Sequence, residues 1–212
     1  MTDGSVTVRR SRGPGPEDMA ERLPALKRHP RRVPGEPGLW ILILGDLLVF
    51  AIFFGLWSWN KAHQPELFVQ GRAQMNQAIG LANTLVLISS SAAVAMGLNR
   101  IRSCHPDDGR RWYRLAAGLG GAFVALKLLE YSNHVAAGAD VLDDGFFMYY
   151  FVFTGIHLIH VVAGIIALLL VIRKSRRLGV SSAELPIFEG VGVYWHMVDI
   201  VWIVLYSLMY LM

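Results

Sequence analysis

The run GFFMYYFVFTGIHLIHVVAGIIALLL, from Gly145 to Leu170, contains no Asp, Glu, Lys or Arg across 26 residues. A helix needs about 20 apolar residues to cross the hydrocarbon core of a bilayer, so this run reads as a transmembrane segment. Two histidines lie inside it. His157 and His160, three apart, share a helical face with Thr154 and Gly164, while Met148, Phe151, Val152, Ile159, Ile166 and Leu170 supply apolar surface. Ionisable side chains at membrane depth face protein or water rather than lipid, so this helix needs neighbours that answer its histidines.

The remainder of the chain supplies such neighbours. With 54% hydrophobic and 17% charged residues, and much of the charge gathered before residue 38 and in three later clusters, the composition is that of one polytopic membrane bundle. The net charge of +4 does not point to nucleic acid as a partner, because the basic residues fall where helix ends meet the membrane. A single cysteine, Cys104, excludes an internal disulfide and a thiolate metal framework; it is expected to be an inert loop thiol.

Residues 1–37 combine six prolines (14, 16, 24, 30, 34 and 37) with eight Lys or Arg and little aliphatic periodicity, which predicts a flexible cytoplasmic tail. The first apolar run starts near residue 38 and lasts a full span, so the tail is expected to be retained rather than cleaved as a signal. Spans are predicted at 38–59, 77–98, 114–135, 147–172 and 190–212, making residues 38–212 the membrane domain. The first is interrupted only by Asp46 and carries Trp40, Trp57 and Trp59 at interfacial depths. A polar loop, 60–76, leads to the second, whose Ser89, Ala93 and Gly97 at four-residue spacing allow close helix approach. The third places Ala117, Gly121 and Ala125 on one face, followed by Lys127 and Glu130, which can neutralise one another three residues apart. In chain order the six non-membrane segments carry 8, 2, 4, 0, 4 and no basic residues. That alternation puts the N-terminus, the Arg100 loop and the Arg173 loop in the cytoplasm, hence an all-α bundle of five helices, N-in and C-out. Neither internal repeats nor broken helices favour a transporter.

A rise of about 1.5 Å per residue puts Glu130 and His157 roughly 20 Å from the cytoplasmic side, with Lys127 and His160 just below them. Asp46 and Asp199 fall in a second layer at about 12 Å, with His196 a turn below. Glu130 is therefore expected to contact His157, and Asp46 to approach the fifth span. His134, near a helix end, reads as a packing residue. Interhelical hydrogen bonding is the simplest role for His157, His160 and His196. The sharper alternative is a membrane-embedded haem or metal-binding oxidoreductase built on His157-x-x-His160, Glu130-x-x-x-His134 and His196-x-x-Asp199, although the Glu-x-x-His pair of bundle metal sites is missing. No nucleophile arrangement is present.

The run FFMYYFVFTGIHLIHVVAG from Phe146, followed by FEGVGVYWHMVDIVW ending at Trp202, resembles the signature of subunit III of the haem-copper oxidases. That family pairs a Thr-Gly-x-His-x-x-His-Val helix with a Tyr-Trp-His-x-x-Asp-x-x-Trp helix. Glu130-Tyr131 is similar to the family's Glu-Tyr, Asn83-Thr84 with serines 89 to 91 adds to the match, and Asp46 stands where the family carries a membrane carboxylate, usually Glu. The resemblance covers residues 36–212. Lys127 departs from a common Gln, Asp46 departs from Glu, and five helices rather than seven imply that the family's lipid-filled cleft is absent or open. With the opening GEPGLWILILGDLLVFAIFFG, the resemblance is nearest to the NorE-like branch associated with nitric oxide reductase, with a cytochrome c or quinol oxidase as the alternative. It implies a cytochrome c oxidase subunit III-like fold, a place in respiratory electron transport in a bacterial inner membrane, and membrane phospholipids and the catalytic subunit I as partners. It also implies that haem and copper reside in that partner and that this chain has no active site. Asp46 and Glu130 become the candidate functional carboxylates, in a network with Lys127, His157, His160, His196 and Asp199.

Overall fold

A computed structural model describes residues 37–103, 105–136, 145–178 and 185–211, and every regular element among them is helical. In chain order these are α1 (Pro37–His63), α2 (Pro65–Ala73), α3 (Gln77–Arg102), α4 (Pro106–Ala136), α5 (Gly145–Leu178) and α6 (Leu185–Tyr206), which continues as a π-helical turn, Ser207–Leu211. All but α2 are long and apolar enough to cross a membrane, which makes this a five-span, all-α bundle. The tail, residues 1–36, Cys104, the acidic loop with Asp140, Asp143 and Asp144, and the side chains of Arg176 and Arg177 lie outside the described residues.

The helices outrun the apolar stretches because their polar ends are satisfied locally. Pro106 opens α4 two turns before the predicted start at 114, and Asp107 and Asp108 in its first turn pair with Arg110 and Arg111. Asn76 caps α3, its side chain accepting from the amides of Ala78 and Ile79 at 3.1 and 3.2 Å. The segment read as a polar loop contains α2, begun by Pro65. Its Phe68 meets the Trp57 ring at 4.7 Å, and a Cβ at Gly71 would sit 2.2 Å from Phe146, so only glycine lets α2 lie this close to α5.

The core is formed by α3, α4, α5 and α6. Of α6's most apolar window 50% is buried, against 11% for α1, so α1 lies on the rim, held by Phe50 and Trp57. In the core, Trp195 of α6 fills the space left by Gly120 of α4 and Gly164 of α5, where a Cβ on either glycine would come within 2.7 Å of the indole. Two polar clasps close the ends. Arg102 donates to Glu189 Oε1 at 2.7 Å near the basic end, while at the other end Arg72 and Gln77 donate to the carbonyls of Leu211 and Tyr210, both at 3.1 Å. Those carbonyls belong to the last turn, where no intrahelical donor remains.

The buried faces correct two expectations. On α3 the interior stripe is Ser90, Ser91, Ala93, Val94 and Gly97, whereas Ser89 points outward and bonds back to Leu85. On α4 the interior stripe is Tyr113, Ala116, Ala117, Gly120, Phe123, Lys127 and Glu130; Gly121 and Ala125 are exposed. The costly Lys127 and Glu130 decide the rotation of α4, and three- and four-residue steps back from them lead to Phe123, Gly120 and Ala116 rather than to Gly121.

Candidate functional site

Lys127 is fully buried and Glu130 is 2% exposed. Three residues apart on α4, they form an ion pair at 2.9 Å, Nζ to Oε2. A lysine has three N–H donors, and here all three are used: the other two go to the hydroxyls of Tyr150 and Tyr210, each at 2.8 Å. Tyr210 then donates its own proton to Glu130 Oε1 at 2.5 Å, so both carboxylate oxygens are engaged. Aromatic rings wall the ammonium: Tyr150, Trp202, Tyr210 and Tyr131 have centroids 4.6, 5.0, 5.4 and 5.5 Å from Nζ. Beside this cage, Tyr131 Oη lies 2.6 Å from Thr154 Oγ1, and Thr154 donates to the Tyr150 carbonyl. Helices α4, α5 and the C-terminal turn are thereby tied to one charge pair. Trp202 extends the tie to α3, donating from Nε1 to Thr84 Oγ1 at 3.1 Å.

His157 is not the partner of Glu130. Its ring stacks on Trp202 at 5.3 Å and meets the edge of Phe123 at 5.9 Å, so its counterpart on α4 is Phe123. Glu130 stands seven residues further along α4, about 10 Å by helix rise. The expected depths misjudged this register because the boundaries were set by hydropathy, whereas α4 begins at Pro106 and α5 continues to Leu178. Lys127 is level with Tyr150 on α5, two turns from His157.

Asp46 approaches the fifth span as expected, since α1 packs on α6 and places Asp46 near Tyr194. Its carboxylate also meets His160 of α5, Oδ2 to Nε2 at 3.4 Å. His160 Nδ1 donates to the Ile156 carbonyl at 2.8 Å, which fixes the ring and leaves Nε2 toward Asp46. From α6, Tyr194 donates to the His160 carbonyl at 3.2 Å. A third group lies between α3 and α6: Ser91 Oγ sits 2.6 Å from His196 Nδ1, and buried Asp199 is three residues further along α6. His134 is half-buried against the rings of Phe147 and Tyr150.

The seven network residues thus divide among separate places: Lys127 with Glu130, His157 beneath them against Trp202, Asp46 with His160, and His196 near Asp199. Among the described residues no three His, Cys, Asp or Glu side chains converge well enough to hold a metal ion. Sequence reasoning missed Tyr150 and Tyr210, and named Thr154, Ser91 and Tyr194 only as a face-mate of the histidines or as parts of the resemblance, without their partners. Tyr150 lies one turn before Thr154 on the histidine face, and that was the available signal. Tyr210, near the chain's end, offered none beyond its polarity.

Five membrane-length helices gathered round a caged, neutralised ion pair define a multi-pass membrane protein with a few paired polar groups inside a largely apolar bundle. Residues 36–212 match the model of the cytochrome c oxidase subunit III family, and the chain belongs to that family, the third subunits of the haem-copper oxidases. It is similar to the cytochrome c oxidase subunit 3 of Thermostichus vulcanus, 30% identical over 82% of this chain and 86% of that one. The subunit 3 of Corynebacterium diphtheriae is 30% identical over 92% and 96% of the two chains, and that of Bacillus sp. strain PS3 is 23% identical over 91% and 94%.

Proposed function

We propose that this chain is a non-catalytic subunit that packs beside the haem- and copper-bearing catalytic subunit I of a respiratory complex in a bacterial inner membrane, holding neither group itself. The observation that carries this reading is the dispersal of its membrane-depth acids, lysine and histidines to separate interhelical ties, where a redox centre needs donors that converge. The apolar outer face of α1, with Ile41, Leu44 and Leu48 more than half exposed, is surface for phospholipid chains and for that partner.

The finer assignment is to a NorE-like subunit associated with a nitric oxide reductase. It is supported by Asp46 in place of Glu and by Lys127 in place of Gln, whose three hydrogen bonds build it into the core. Affinity purification of the full chain from its own membranes in a mild detergent tests both levels. Recovery with a haem-bearing catalytic subunit that reduces nitric oxide supports the assignment. Recovery with an oxygen-reducing one retains the subunit role and refutes the branch, and stoichiometric iron or copper in the isolated chain refutes the non-catalytic role.

A further inference from the structure

His157 is 1% exposed, and neither of its ring nitrogens has a hydrogen-bond partner among the described residues. A neutral imidazole has one N–H to donate and one lone pair to fill. The ring's face is taken by Trp202, whose one N–H is committed to Thr84, and its flank by Phe123, which has no polar group. Asn83 of α3 repeats the deficit: it is fully buried, and both its amide nitrogen and its amide oxygen lack partners among the described residues. The two residues are linked through Trp202, whose indole stacks on His157 and donates to Thr84, the residue next to Asn83.

Native proteins pair the great majority of their buried polar atoms with protein or with ordered water. Four dry orphans would each cost about 1–3 kcal/mol, a heavy sum against a total stability of about 5–15 kcal/mol. We propose that His157 and Asn83 are ligands of an internal hydration site in the bundle core, beside the Trp202 indole. Its occupant is water rather than an ion. A cation is opposed by Lys127, whose Nζ lies 5.0 Å from the Trp202 ring, and an anion would find no free donor on Lys127, all three of which are already committed. Ordered water can donate and accept at once, which is what an imidazole with one donor and one acceptor and an amide with both require.

The test is solid-state NMR on the full chain in lipid nanodiscs, with ring-15N histidine and polarisation transferred from water protons. His157→Phe assigns the His157 signal; if that variant does not accumulate, single replacements of the other six histidines assign it by elimination. The expected result is a water cross-peak at a His157 ring nitrogen, despite its burial, at a mixing time that also gives one at exposed His63. Absence of the His157 cross-peak at that mixing time, or a cross-peak to a protein donor or acceptor in its place, overturns the proposal.

Discussion

Two ion pairs cross the same bundle under opposite conditions. Lys127–Glu130 lies in the core with side chains 0% and 2% exposed; His160–Asp46 lies at the rim with 23% and 25%. The core pair is made within one helix, so its two charges can neutralise each other as soon as α4 forms, and α5 and the C-terminal turn close over a charge-compensated unit. The rim pair joins α1 to α5 and exists only once α1 has docked. Its single contact of 3.4 Å is longer than a strong charge-assisted hydrogen bond, and it is ionic only when the imidazole carries a second proton. The first is a compensated charge pair over which the hydroxyls of Tyr150 and Tyr210 close; the second forms only when a peripheral helix is in place.

The strongest way to break that contrast is to remove one member of the core pair. Glu130→Leu leaves a buried ammonium without its carboxylate and takes away the acceptor of Tyr210, and a destabilisation of about 3–5 kcal/mol is expected. Replacing both charges in Lys127→Met/Glu130→Leu should recover most of the loss, because two apolar groups of similar volume carry no unmet charge. Thermal unfolding of the purified chain in one detergent, followed by circular dichroism, measures both variants. A double variant no more stable than the single one would show that the pair does more than cancel itself.

Tyr210→Phe sharpens the contrast from the other side, since it keeps both charges but deletes the hydroxyl that accepts from Lys127 and donates to Glu130. The hydroxyl makes two hydrogen bonds to charged groups, each worth about 1.5–3 kcal/mol, so the loss should be comparable with that of Glu130→Leu and exceed any rim effect. Because Arg72 and Gln77 hold the same turn through backbone carbonyls, the helix should remain docked. Unchanged midpoints in the same melt would mean that the tyrosine cage follows the ion pair rather than supporting it.

These residues also show how far the sequence could be read. Five spans were legible because an apolar run of membrane length allows few other structures. The elements hidden from hydropathy were α2, begun by Pro65 and seated by Phe68 on the Trp57 and Phe146 rings, and the opening of α4 with its Asp107–Arg110 pair. Lys127 with Glu130 was visible because three-residue spacing is a property of one helix. Pairings between helices were not, since they depend on axial offset and rotation, and an error of two turns put Glu130 rather than Phe123 opposite His157 of α5. Tyr210 could not be placed in the cage, because nothing along the chain reveals that the last turn becomes a π-helix closing over Glu130.

The smallest effect belongs to the rim. Asp46→Asn preserves shape and hydrogen-bonding capacity while removing the charge opposite His160, and a partly exposed pair of this kind contributes no more than about 1 kcal/mol. The variant is therefore expected to assemble, to melt within a few degrees of the parent, and to keep α1 docked through the Phe53–Phe153 stack at 4.9 Å and the rings around Trp57. If Asp46 has a part in turnover, it will show as a shorter functional lifetime of the purified complex at unchanged initial rate and unchanged melting. A loss of stability approaching that of Glu130→Leu would contradict the division drawn between the two pairs, because it would make a single 3.4 Å contact at the rim as structural as the saturated cage at the core.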